Sequence, residues 1–88
     1  MDIIEIGGGE NPKYRPNIDL RKLPTVDIIH DITVFPWPLA MDKYDVVYSA
    51  HCIEHVVVKQ VPYVLHEILR ILKPGGHLEL RVPDLERS

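Results

Sequence analysis

The stretch Met1-Asp2-Ile3-Ile4-Glu5-Ile6-Gly7-Gly8-Gly9 constrains this chain more than any other. Ile3, Ile4 and Ile6 form a short apolar run of the kind carried by a strand buried on both faces. Three glycines end it. Glycine reaches positive φ at little cost and lets another group approach the backbone closely. Open α/β sheets hold their ligands outside the carboxyl ends of the strands, where this turn would fall. The residues that follow select against two nucleotide sites. A dinucleotide fingerprint needs another glycine three positions after Gly9, and Pro12 stands there. A phosphate-cradling P-loop closes on Gly-Lys-Ser/Thr, whereas Glu10-Asn11-Pro12 is acidic and offers no lysine. On these residues alone, a ligand seat and a plain connecting turn stand level.

Further strands follow. Residues 17–20 read as a second strand ending near Asp19, and residues 26–30 as a third, with Asp31 directly after it. The gap from Gly9 to Asn17 is too short for the dozen or more residues of a helical crossover. Phe35-Pro36-Trp37-Pro38-Leu39 is a stiff loop, because each proline pushes its predecessor towards extended geometry. Residues 44–49 are rich in β-formers and make a fourth strand.

The clearest helix covers residues 61–72. Val61, Val64, Leu65, Ile68 and Leu72 share a face that Leu69 and Ile71 widen. Lys59, Glu67 and Arg70 are expected elsewhere, Glu67 and Arg70 as a weak surface pair. Lys73-Pro74-Gly75-Gly76 reads as a type II turn that stops the helix. Residues 77–82 alternate strictly, putting Leu78, Leu80 and Val82 on one face of a fifth strand.

With 88 residues the chain is one domain, 1–88. Its net charge of −3, without a basic run, gives no reason to expect nucleic acid. No apolar stretch approaches membrane-spanning length, and the amino terminus lacks the features of a signal peptide. The single Cys52 forbids an internal disulfide, which suits a reducing, cytoplasmic setting.

Several stretches together resemble one family. These are Glu5-Ile6-Gly7-Gly8-Gly9, Asn17-Ile18-Asp19, Ile29-His30-Asp31-Ile32, Tyr44-Asp45-Val46-Val47-Tyr48-Ser49 with His51, Glu54 and His55, and Leu72-Lys73-Pro74-Gly75-Gly76 before Val82-Pro83-Asp84. The chain looks like the front part of a class I S-adenosylmethionine-dependent methyltransferase of the type 11-like group. The resemblance implies an α/β fold with a Rossmann-like parallel sheet of about five strands, truncated relative to the family's seven. It implies S-adenosylmethionine as cofactor. Gly7, Gly8 and Gly9 would lie against its amino-acid part, with Glu5 helping to hold the ammonium. Asp19 would accept from both ribose hydroxyls, since a carboxylate has two acceptor oxygens. Asp31 would accept from the adenine amine, with Ile32 against the ring, and Ser49, Ala50 and His51 would border the sulfonium and the incoming nucleophile. Where the methyl acceptor must lose a proton, His51 or His55 is the candidate base.

The resemblance leaves one sheet face and the fifth strand's edge without a cover. A second copy of the chain, or a missing carboxyl-terminal part, is expected there. Two rivals stand beside it. One is a non-catalytic module that binds S-adenosylmethionine or serves assembly. The other is a zinc hydrolase, since His51-x-x-Glu54-His55 would set two histidines on one helix face, with Glu67 or Glu79 as further ligand. The main reading expects no metal.

Overall fold

The computed structural model describes residues 1–50 and 58–81. Among the described residues five strands form a single sheet: β1 (Ile3–Ile6), β2 (Asn17–Asp19), β3 (Ile28–Ile29), β4 (Tyr44–Ala50) and β5 (Leu72–Arg81). Their order is β3-β2-β1-β4-β5, and every neighbouring pair is parallel. One helix, α1 (Val61–Ile71), follows a 3₁₀ turn at Val58–Gln60 and leads directly into β5. This is the expected α/β, Rossmann-like sheet.

Alternation builds the core. Ile4 and Ile6 share a face of β1, because side chains two apart on a strand point the same way. Ile4 pairs with Val47, and Ile6 with Ile18, so the apolar positions line up across three strands. They meet Val64, Ile68 and Ile71 of α1, together with Trp37, in one buried cluster. Glu5 and Tyr48, register partners between β1 and β4, are also buried. The chain after the glycines crosses over them: Lys13 N–H (2.6 Å) and Tyr14 N–H (2.9 Å) donate to Glu5 Oε1. The Tyr14 ring meets the Tyr48 ring edge-on at 5.1 Å. A short loop thus covers here what a crossover helix usually covers.

Three expectations need correction. The third strand shrinks to Ile28–Ile29. Val26 N–H instead closes a turn on Leu23 O, and Asp27 spends its carboxylate on Asn17 N–H and Arg15. The turn at Lys73–Gly76 does not precede the fifth strand but lies inside it. Tyr44 pairs with Leu72 and Val46 with His77, so residues 73–76 bulge out opposite Asp45. Gly75 makes this possible with φ +85°, where a side chain would be strained. Val82, the expected end of that strand, lies outside the described residues.

The third correction concerns α1. Its buried residues are Val64, Glu67, Ile68 and Ile71, while Leu65 and Leu69 are exposed. The apolar stripe is rotated by the loop 35–39, which docks on the Glu67 side. Glu67 is only 5% exposed. Its Oε1 accepts from Trp37 N–H at 2.8 Å, and its two oxygens take Arg70 Nη2 and Nε, each at 3.0 Å. Arg70 also donates to Leu39 O (2.9 Å) and Trp37 O (3.1 Å). The pair read as a weak surface contact is therefore a buried clamp. Within the described sheet β5 is an edge strand, with Leu80 exposed on it.

Candidate functional site

From β1 the chain first builds outward through β2 and β3, then returns to the other side of β1 with β4 and β5. The strand order reverses at β1, the place where sheets of this kind hold a ligand in the crevice between the carboxyl ends of the two strands, here β1 and β4. Gly7, Gly8 and Gly9 follow β1 at this point, and Ser49 and Ala50 end β4. The topology therefore brings the two expected stretches to one end of the sheet.

The glycine corner is pinned by β2 and its successor. Gly7 N–H donates to Ile18 O (2.7 Å), Gly8 N–H to Asn17 Oδ1 (2.9 Å) and Gly9 N–H to Asp19 Oδ2 (2.8 Å). Gly9 O accepts from Thr25 Oγ1 at 2.6 Å and from Asn17 Nδ2 at 3.3 Å. All three glycine amides are thus engaged within the protein. The corner has no N–H of its own to spare for a phosphate, in line with the sequence argument against a P-loop.

Asp19 is the acceptor at this corner. It ends β2 and is 8% exposed. Its Oδ2 takes Gly9 N–H, and its Oδ1 takes Arg21 N–H at 3.0 Å. A carboxylate offers about four lone-pair sites, so each oxygen retains capacity for a hydroxyl donor. Arg21 was not singled out by the sequence. Its guanidinium lies in the space that a Cβ on Gly9 would fill, with Nε 3.6 Å from Asp19 Oδ1. Gly9 adopts φ +58°, so its backbone favours glycine there. A basic residue two positions after a strand-end acid was the available signal.

The other expected residues divide. Glu5 is turned to the loop amides of Lys13 and Tyr14 through Oε1, while its Oε2 lies against Gly8. Ser49 is buried and its hydroxyl donates to Ile6 O at 3.3 Å, bridging the two strands that flank the crevice. Asp31 follows β3, and its Oδ1 accepts from Thr33 N–H (2.9 Å) and Thr33 Oγ1 (2.7 Å). The Thr33 hydroxyl and amide hold this carboxyl below the usual aspartate range. Ile32 packs against the core, and its carbonyl accepts the Trp37 indole N–H at 2.9 Å. His51 and His55, with Glu54 of the zinc alternative, lie outside the described residues. Glu67, suggested there as a further ligand, has both oxygens on Arg70. Among the described residues no three His, Cys, Asp or Glu side chains group as a metal site, and no helix is long and apolar enough to cross a membrane.

A parallel sheet whose order reverses at β1, with a glycine corner at the reversal and an acid ending the adjacent strand, defines an α/β, Rossmann-like domain. The sequence pattern of a methyltransferase domain family matches residues 14–80. The chain belongs to that family, in agreement with its resemblance to class I S-adenosylmethionine-dependent methyltransferases. The match begins beyond Gly9, so it rests on β2 to β5 and is independent of the glycine corner. Comparison with curated proteins and with solved structures returns no match.

Proposed function

We propose that the chain binds S-adenosylmethionine in the crevice between β1 and β4, as the cofactor-binding part of a methyltransferase. The observation that carries this reading is the Asp19 carboxylate: buried at the end of β2, bonded to Gly9, and with acceptor capacity left on both oxygens. That acceptor pair suits the hydroxyl donors of a diol. A ribose presents two adjacent hydroxyl donors, whereas a phosphate would meet a carboxylate and three occupied amides. S-adenosylmethionine supplies a methyl group already activated on a sulfonium, so the protein's task is chiefly to orient it. Asp19 holds the ribose, Gly7 to Gly9 leave room for the amino-acid part, and Glu5 adds negative potential near its ammonium. Thr33 takes Asp31 Oδ1, which leaves Oδ2 for the adenine amine, with Ile32 against the ring. Ser49 ends β4 on the sulfonium side. Where the acceptor must lose a proton, His51 or His55 would take it.

The test is calorimetric titration with S-adenosylhomocysteine. Asp19→Ala should weaken binding by roughly 1.5–3 kcal/mol, the worth of a hydrogen bond to a charged group. Asp19→Asn keeps an acceptor for Gly9 N–H and serves as the folded control. Unchanged affinity in both variants would remove Asp19 from the site.

The open edge of β5 favours a second element of this reading: a further copy of the chain covers it. Glu79 and Arg81 alternate with Leu80 along that edge, all three exposed, a pattern that complements itself in an antiparallel pairing.

A further inference from the structure

The loop that carries Asp31 and Ile32 is tied to α1 by a continuous chain of contacts. Val34 N–H donates to Asp31 O at 2.9 Å, closing a turn at the start of the loop. The Trp37 indole then reaches back and donates to Ile32 O at 2.9 Å. Trp37 itself is 2% exposed. Its backbone is held at both ends by α1, through N–H to Glu67 Oε1 (2.8 Å) and through O from Arg70 Nη2 (3.1 Å). Arg70 Nη1 holds Leu39 O at 2.9 Å, which fixes the far end of the loop. The loop therefore closes on the residue beside Asp31 and is bolted to the helix behind it.

Position at such a site depends on supporting contacts. A carboxylate discriminates an amine from a carbonyl only if its oxygen stays within hydrogen-bond range of the right ring edge. Asp31 lies on a loop, and loops place side chains less accurately than strands or helices do. Here the helix lends its rigidity to the loop through Trp37. The core needs an apolar side chain at this position, and phenylalanine would satisfy that. What phenylalanine lacks is the N–H that Ile32 O receives.

We propose that Trp37, held by Glu67 and Arg70, is a positioning residue for recognition of the adenine 6-amino group by Asp31. The proposal rests on the cofactor reading above. It assigns to α1 a part in ligand selectivity: its Glu67–Arg70 pair sets the loop, and the loop sets Asp31.

The experiment compares two ligands on the same protein by calorimetry: S-adenosylhomocysteine, and S-inosylhomocysteine, whose 6-oxo group replaces the amine. The wild type should prefer the adenine ligand about tenfold or more, as expected for one charge-assisted hydrogen bond. Trp37→Phe should bring that ratio towards one, chiefly by weakening the adenine ligand. Arg70→Lys, which keeps the charge but cannot grip Glu67, Trp37 and Leu39 together, should lower the ratio in the same direction and serves where the phenylalanine variant folds poorly. If either folded variant keeps the wild-type ratio while both ligands weaken equally, Trp37 is structural only and the proposal fails. If the wild type binds both ligands without preference, Asp31 does not read the amine, and the proposal fails with the ribose reading intact. If the wild type binds neither, the cofactor reading itself falls.

Discussion

At the scale of single residues, the corner is governed by Asp19 and Arg21, and the two oppose each other. Asp19 offers acceptor capacity to a ligand, while the Arg21 guanidinium lies over Gly9 and within 3.6 Å of the same carboxylate. The Arg21 side chain is more than half exposed, so moving it aside costs little. With its cation exposed and 3.6 Å between the charges, the pair is worth about 0.2–1 kcal/mol. Arg21→Gln should therefore tighten S-adenosylhomocysteine binding by up to about fivefold. Raising the salt concentration should tighten the wild type but not the variant, because salt screens the exposed guanidinium. Weaker binding by the variant would mean that the guanidinium holds the ligand instead of covering its seat. The sequence brought Asp19 into view through its place at a strand end. It was silent on Arg21, because a long flexible side chain reveals its resting place only once the turn beside it is built. The same limit applies to Glu5 and Ser49. Their positions were legible, but the partners that claim them, the loop amides and Ile6 O, come from other segments of the chain.

At the scale of elements, the joint between α1 and the loop 35–39 dominates. Glu67 is held below the usual glutamate range, first by its hydrogen bonds from Arg70 and also by Trp37 N–H, against the opposing effect of burial. A carboxyl whose folded value is depressed binds fewer protons than its unfolded counterpart. Its stabilisation is thus present above the unfolded value of about 4.3 and is lost as pH falls through the folded value. Arg70→Ala leaves Glu67 buried without its cation, a change that typically costs about 3–5 kcal/mol. That is a large part of the roughly 5–15 kcal/mol that holds most domains folded. Urea denaturation at pH 7 should show the loss, and it should narrow as pH falls through the depressed folded value of Glu67, where the wild type too becomes protonated. A variant as stable as the wild type at pH 7 would show the clamp to be incidental. The helix itself was legible from the spacing of Val64, Ile68 and Ile71. The burial of Glu67 was not, since a charged residue at helical spacing is solvated by default. Only the docked loop, with free backbone groups at Trp37 and Leu39, turns that face inward. The fifth strand departs from expectation for a related reason. Pro74 and Gly75 do form a turn, but parallel pairing resumes on both sides of it and absorbs it as a bulge.

At the scale of the whole molecule, the described residues leave β5 at an edge of the sheet. Leu69 is 70% exposed on α1 and Leu80 is 42% exposed on β5. An edge strand that carries an exposed leucine is a template for another strand. The sequence of that edge indicates which strand fits. If two copies pair antiparallel about Leu80, Glu79 of each lies opposite Arg81 of the other, and Leu80 meets Leu80. Opposite charges directly across a pair contribute about 0.2–1 kcal/mol each, and like charges act with the reverse sign. Symmetry makes two such pairs. Glu79→Arg alone should then weaken association, because each Arg81 would face an arginine. Adding Arg81→Glu should restore it, since the exchanged charges would again meet their opposites across the axis. Light scattering over a concentration series reads the result directly: dimer for the wild type and the doubly exchanged protein, monomer for the single exchange at the same concentration. A single exchange that leaves the dimer intact would place the contact elsewhere. A wild type that stays monomeric would show that the edge belongs to another partner. Neither outcome touches the crevice, which faces the carboxyl ends of the strands, so cofactor binding and assembly can be judged separately.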